Sequence, residues 1–416
     1  MTDFANSYRI LAKDVTVSND TRVTQLSNND LIIGSSGSGK TGGYIIPNIQ
    51  NISGSLIVAD TKGQLCRMFS KELREKGYIV HTIDMVNPEN SEGYNPLSYI
   101  RCKNGRYNEQ DMNTLAVLLA PTQDTRDPFW DNSARAYITF LIAYCLEFNN
   151  SSQHTTSALC DLHRLFLNAN CRNAMIANVN QKPDTFAAKK MALLMDIVNV
   201  EKTWNCISEF ATRALEVFDF HELKHIFGAK PEDNIDITEL GRYNTVIFLN
   251  ISDTDRAYDK IVNLFYAQAL QVLCKAADAN PNGRLDVPVR IIMDDFAASA
   301  VIPDFDKTIS VIRSRDISVS IILQSLTQLE SMYSHPAATT IINNCDHLLY
   351  LGSQDVKTAE YVAYKALCAP EEVMCMRRDK VYILTNSERA KLADKIIPYS
   401  TLPEPKEIDE DDECPV

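Results

Sequence analysis

The sequence predicts an α/β protein, a mostly parallel sheet with helices on both faces, opened by an all-α insertion. Three observations predict it. Short apolar runs of strand length recur along the chain, a glycine-rich loop stands between one of them and a helix-compatible segment, and the stretch 107–240 contains no such run. The runs are "LIIG" (31–34), "SLIVAD" (55–60), "YIVHTID" (78–84), "NTVIFLN" (244–250), "VPVRIIMD" (287–294), "ISVSIIL" (317–323) and "HLLYLG" (347–352). Nearly continuous apolar strands separated by helix-length segments are the rhythm of βαβ units, whose strands are buried on both faces.

The first run leads into "GSSGSGKT". Gly34, Ser35, Ser36, Gly37, Ser38, Gly39, Lys40 and Thr41 fit the spacing of a phosphate loop, in which glycines let backbone N–H groups converge on an anion at a helix N-terminus. Lys40 would add charge at the β and γ phosphates of ATP, and the Thr41 hydroxyl would ligate Mg²⁺. A Gly/Ser turn with a solvated lysine is the alternative; the strand before it and the helix after it argue for the nucleotide.

Such a site needs an acid at the end of another strand. "VRIIMDDF" supplies two: Asp294 would hold Mg²⁺ through water, and Asp295 stands where an ATPase places the carboxylate that orients the attacking water. Glu is more usual there, so the shorter Asp295 predicts nucleotide binding with slower hydrolysis. The strand ending at Leu323 delivers Gln324, whose amide can sense the γ-phosphate beside the Asp294 strand end.

Between 107 and 240, helical periodicity dominates. The segment 127–148, "DPFWDNSARAYITFLIAYCLEF", reads as a helix with Asp127 as cap and Pro128 in its first turn, and Phe129 and Trp130 are expected as core anchors. Its run "AYITFLIAYCL" is about half the roughly 20 apolar residues that span a bilayer, so a buried helix is expected. The chain's start shows no basic segment followed by an apolar core, so no signal or anchor is expected there. Eleven cysteines without metal spacing read as reduced, mostly small core residues, and His154, His163, His221 and His225 fall in polar helical segments. His221 and His225 lack a third ligand, and no metal site is predicted from them. Net charge is −13, of which the tail 404–413 contributes −6; the tail is expected to be disordered, and the whole-chain charge does not exclude a nucleic-acid partner.

Taken together, "NNDLIIGSSGSGKT", "SLIVADTKGQL", "YNPLSYI", "DPFWDNSARAY", "DDFAASAVIPDFDKTISVIRSRDISVSIILQSLTQLESMY" and "NNCDHLLYLG" resemble the cytoplasmic part of type IV coupling proteins, the ATPases that hand DNA or protein to a conjugation or type IV secretion channel. The resemblance implies a RecA-like P-loop NTPase in two parts, 1–106 and 241–400, an all-α inserted domain at 107–240, and an acidic tail at 401–416. It further implies ATP and Mg²⁺ as cofactors, and single-stranded DNA with its attached relaxase, together with type IV secretion channel components, as partners. The assembly it implies is a homo-hexamer. Family members usually begin with transmembrane helices. This sequence shows none, so the expected location is cytoplasmic, at the inner face of the membrane through a separate membrane-anchoring subunit. By its spacing ahead of Gln324, Arg313 matches the arginine that reaches a neighbouring subunit's γ-phosphate, with Arg315 the second candidate; pairing of both with Asp304, Asp306 or Asp316 is the alternative. The family's Asp-Pro-Lys-Gly is here Asp60-Thr61-Lys62-Gly63, and Asp60 and Lys62 are expected to line the nucleotide site. A chromosome-segregation or packaging pump shares this core, and a nucleotide-gated adaptor with little hydrolysis is the reading that Asp295 favours.

Overall fold

The structure is a computed structural model, and it describes residues 7–61, 63–121, 128–229, 233–252, 256–294, 296 and 301–396. Lys62, Asp127, Asp295 and the acidic tail 404–413 lie outside the described residues. In chain order the strands are β1 (Tyr8–Ala12), β2 (Val15–Ser18), β3 (Asp30–Ile33), β4 (Ser55–Asp60), β5 (Ile79–Asp84), β6 (Cys102–Lys103), β7 (Arg106–Tyr107), β8 (Thr245–Asn250), β9 (Val289–Met293), β10 (Ile317–Leu323), β11 (His347–Tyr350), β12 (Lys380–Thr385) and β13 (Lys391–Asp394). All seven apolar runs form strands. Every residue of β3, β4, β8 and β10 is buried, which is why they read as unbroken apolar runs.

The chain forms two compact units, and the division falls inside β10. The first comprises Met1–Ser53, Ile322–Gln328 and Cys345–Val416. In it β3 pairs parallel to β11, while β12 and β13 add antiparallel strands beyond β11. The antiparallel hairpin β1–β2 is held to this unit by Arg9, whose guanidinium is 2% exposed and meets a fully buried Asp30 at 2.9 Å. Neither the hairpin nor β12–β13 stood out in the sequence.

The second unit comprises Gly54–Ile321 and Leu329–Asn344. Its main sheet is parallel in the order β5-β8-β4-β9-β10, with Ile317 of β10 level with Val289 of β9, and β6 and β7 form a separate antiparallel pair. Between β7 and β8, the described residues form six helices of 11 or more residues: Glu109–Leu119, Phe129–Phe148, Thr156–Leu167, Ala169–Asn180, Phe186–Val198 and Glu201–Leu215. Side chains at their starts accept the orphan N–H groups: Asn108 from Asp111, Thr155 from Ala158, Thr185 from Ala188. Their shared core is aromatic, with Trp204 edge-on to Tyr137 at 4.9 Å and to Phe166 at 5.4 Å. The run 136–146 is buried as expected, and among the described residues no helix is long and apolar enough to cross a membrane.

Three expectations are corrected here. Phe129, at the first position of its helix, is 49% exposed, and Trp130 is half-buried and stacked on Phe210, so neither is a fully buried anchor. Of the ten described cysteines only Cys145 and Cys160 are buried, so most are not core residues. His163 is a core residue and not part of a polar face: it is 5% exposed and set between the Tyr137 hydroxyl at 3.0 Å and the Thr212 hydroxyl at 2.9 Å. Burial brings its pKa down to about 4.

The helical stretch is tied to the parallel strands by ionic groups. Asp111 sits between Arg101 at 2.7 Å and Lys275 at 2.8 Å, on the helix Asp259–Ala279; burial opposes its charge, and these hydrogen bonds overcome it, holding the carboxyl at about 2. His81 on β5 contacts Glu92 through Nδ1 at 2.6 Å and Glu239 through Nε2 at 3.3 Å, bracketing the segments that enter and leave the helical stretch. Only the imidazolium can donate from both nitrogens. Burial disfavours that charge, yet the two glutamates prevail and raise the pKa above 6.5. His81 therefore contributes stability that is complete below pH 6.5 and lost as pH rises through the folded-state value, whereas the contribution of neutral His163 is complete above 6.5 and lost as pH falls toward 4. In thermal melts the gap between the parent and His81→Gln is expected to be largest near about pH 5–6 and to shrink above about pH 7. A gap that widens with pH would contradict the two-carboxylate geometry.

Candidate functional site

In the first unit β3 ends in the glycine loop. The Gly34 N–H donates to the Leu323 carbonyl at 3.0 Å and the Ser35 N–H to the Gly352 carbonyl at 2.9 Å, so the loop is pinned to the ends of β10 and β11 before it turns. Gly37 and Gly39 have φ of +74° and +92°, values an L side chain rarely adopts, and this reversal curls successive N–H groups inward as an anion nest. A Cβ at Gly34 would lie 2.2 Å from Ser38 Oγ, so a larger residue at the first loop position requires that hydroxyl to move. Lys40 Nζ donates to the Gly34 carbonyl at 2.7 Å and the Ser35 carbonyl at 3.0 Å, which lays the ammonium back over the loop. Thr41, exposed, opens a widened helical turn, Thr41–Ile45, that continues as the helix Ile46–Gln50. The Ser38 hydroxyl is buried and has no hydrogen-bond partner among the described residues. Positive-φ glycines, an overlying lysine and an unsatisfied donor fit a phosphate group.

Gln324 follows Leu323 directly, one residue past the bond that ties β10 to Gly34, and its side chain is exposed. The structure thus brings Gln324 to the loop that holds Lys40. A residue absent from the sequence reading also reaches the loop. Lys395, just beyond β13, donates to the Ser38 carbonyl at 3.0 Å and to the Leu351 carbonyl at 2.6 Å. Burial lowers its pKa, opposed by the charge of Asp379. No local motif announces it, because Ser38 lies 357 residues away in sequence.

In the second unit β9 delivers Asp294 to the carboxyl edge of the parallel strands, where it is half-buried. Tyr266, 3% exposed on the helix Asp259–Ala279, lies close enough that burial first and the Asp294 charge second raise the phenol's pKa. Its hydroxyl has no hydrogen-bond partner among the described residues. In the sequence Tyr266 is one more apolar-face residue of a long helix. Asp60 ends β4 with its carboxylate buried, accepting the Cys66 N–H at 2.8 Å at the start of the helix Gln64–Glu75. Asp60 therefore stabilises that helix end, and the sequence expectation that it lines the nucleotide site finds no support in its bonding.

Arg313 and Arg315 occupy a single 3₁₀ turn immediately before β10. That is the amino edge of the strands, while Asp294 stands at the carboxyl edge of the neighbouring β9, five residues beyond the Val289 that is level with Ile317, or about 16 Å along the strand. Arg315 is bound at both Nε and Nη2 to Asp278, at 2.8 and 3.2 Å. Asp316 pairs with Arg284 and Asp304 with Lys307, so neither takes Arg315. Arg313 is the exposed member of the pair.

Comparison with known proteins agrees with this architecture. The family described as Type IV secretory system Conjugative DNA transfer matches residues 3–365. The chain belongs to that family. Protein VirD4 of Rhizobium rhizogenes is 19% identical over 335 residues, covering 80% of this chain and 48% of the relative. Conjugal transfer protein TraG of Agrobacterium fabrum is 22% identical over 348 residues, covering 81% and 50%. The chain spans about half the length of the curated relatives it matches. Among solved structures, plasmid coupling protein TrwB in complex with ADP and Mg²⁺ superposes with a TM-score of 0.71 at 13% identity, covering 94% of this chain and 88% of that one. VirB4 of Thermoanaerobacter pseudethanolicus gives 0.56 at 13% identity over 95% and 98%. The fold of the coupling protein family, α/β and RecA-like with an all-α region, is the fold of this chain.

Proposed function

We propose that the chain is an ATP-hydrolysing coupling protein that recruits single-stranded DNA with its attached relaxase and moves it toward a conjugation or type IV secretion channel. The observation that carries this reading is the phosphate nest at the end of β3, with Lys40 laid over it, in a chain of the conjugative DNA transfer family. The nest amides of Gly34–Thr41 and the Lys40 ammonium bind the phosphates. Thr41 and Asp294 are the residues assigned to Mg²⁺. When bound, that ion neutralises charge on the phosphate oxygens. Asp295 orients the attacking water, and the Gln324 amide beside the loop responds to the γ-phosphate. Arg313 sits at the far edge of the strands from Asp294, as a residue serving a neighbour's site should, which implies a ring; a homo-hexamer is the assembly proposed.

The segments 1–106 and 241–400 form the nucleotide-binding domain in this reading. The all-α segment 107–240 selects substrate, and the tail 401–416 lies outside the motor. Type IV secretion channel components are its proposed protein partners. Steady-state ATP turnover with and without single-stranded DNA tests the proposal: turnover that rises on adding DNA is expected. No turnover under either condition would leave the nucleotide-gated adaptor, the reading that an aspartate at position 295 favours.

A further inference from the structure

We propose that Lys395 is a positioning residue of the phosphate loop, its ammonium drawing the Ser38 carbonyl outward so that the N–H of the same peptide unit, that of Gly39, faces the phosphates. The inference rests on the nucleotide reading above and deepens it. A trans peptide is planar, with its C=O and N–H pointing in opposite directions. Whatever holds the Ser38 oxygen therefore also aims the Gly39 nitrogen. Lys395 Nζ holds that oxygen at 3.0 Å and, with a second proton, the Leu351 carbonyl at 2.6 Å. Leu351 is itself fixed, since its N–H donates to Ile33 at 2.7 Å at the end of β3. The ammonium thus ties the middle of the loop to a rigid point beside the loop's root.

Gly39 needs this restraint. With φ at +92° and no side chain, the peptide before it has no steric preference that fixes its orientation. A flipped peptide would turn the Ser38 carbonyl toward the phosphates and replace attraction by repulsion. Lys395 is placed by the strands that carry it: its own N–H donates to the Asp379 carbonyl at 2.7 Å, extending the β12–β13 pairing in which Lys380 faces Asp394. Its partial burial strengthens the hydrogen bonds the ammonium makes. The antiparallel strands β12 and β13, which the parallel sheet does not require, acquire a purpose as the arm that brings Lys395 to the loop.

The test measures ADP–Mg²⁺ and ATP–Mg²⁺ affinity by calorimetry, turnover at saturating ATP, and melting of the nucleotide-free protein, in the full chain and in Lys395→Met and Lys395→Arg. Lys395→Met keeps the stem and loses the donors. Its dissociation constants are expected to rise about tenfold or more, as befits loss of hydrogen bonds from a charged group, with turnover at saturation within about twofold of the parent. Lys395→Arg keeps the charge and donors and should recover most of the affinity. Affinity in folded Lys395→Met equal to the parent's would overturn the proposal. So would a stability loss in Lys395→Met with unchanged dissociation constants, which is what a merely structural lysine gives. If Lys395→Met does not fold, Lys395→Gln replaces it: affinity equal to the parent's overturns the proposal, and affinity below that of Lys395→Arg supports it. A parent that binds neither nucleotide would instead remove the nucleotide reading itself, so the two failures are distinct.

Discussion

Lys40→Ala is expected to lose nucleotide binding while keeping its fold. Its ammonium donates to the Gly34 carbonyl at 2.7 Å and the Ser35 carbonyl at 3.0 Å, contacts made within the loop itself. Those carbonyls border the nest, and the lysine is the loop's own source of positive charge over it. Hydrogen bonds to charged groups contribute about 1.5–3 kcal/mol each, so losing the ammonium from two phosphates should weaken ADP–Mg²⁺ and ATP–Mg²⁺ by about 10²-fold or more. Calorimetry and a thermal melt check both halves of the expectation. Parental affinity in a folded Lys40→Ala protein would show that the loop is not the nucleotide site.

What the sequence made legible follows from burial. Strands covered on both faces leave unbroken apolar runs, and β3, β4, β8 and β10 were read to within a residue or two of their ends. β12 and β13 were missed because they are half-exposed: "KLAD" carries three exposed residues of four and looks like a loop. β1 was missed for a different reason. Arg9 interrupts "YRILA", and a buried arginine is indistinguishable from a surface one until Asp30, 21 residues on, is found beside it. The phosphate loop was legible because its chemistry is local and its glycines are fixed by backbone geometry. The surroundings of that loop were not. Lys395 reaches Ser38 only because β13 pairs with β12 and β12 with β11, a chain of antiparallel registers no short pattern encodes. Asp60 shows the converse: its position at a strand end suggested the site, yet its carboxylate is engaged by the Cys66 N–H.

The second large effect is expected at Arg9. Its Nε meets both Asp30 oxygens, at 3.1 and 2.9 Å, its Nη1 reaches the Asn28 side chain at 3.0 Å, and its Nη2 lies 2.9 Å from His347 Nδ1. A guanidinium only donates, so Nδ1 is the accepting nitrogen of that ring. Asp30 also accepts from the Tyr44 hydroxyl at 2.5 Å, and Tyr44 belongs to the helical turn that the phosphate loop opens. The buried pair therefore joins three things: the N-terminal hairpin, the foot of β3 and the helix behind the nest. Removing one partner of such a pair costs about 3–5 kcal/mol, because a fully buried carboxylate loses its counter-charge. For Arg9→Leu in a chain of 416 residues this corresponds to a drop in Tm of about 5 °C. The cost arises from the stranded charge more than from lost packing, and a second substitution separates the two. Asp30→Asn keeps the shape and a carbonyl that can accept from Tyr44 but carries no charge, so the double variant Arg9→Leu/Asp30→Asn should melt above Arg9→Leu alone. Additive losses in the double variant would place the cost in packing and deny the ion pair its role in holding the hairpin to the loop's foundation.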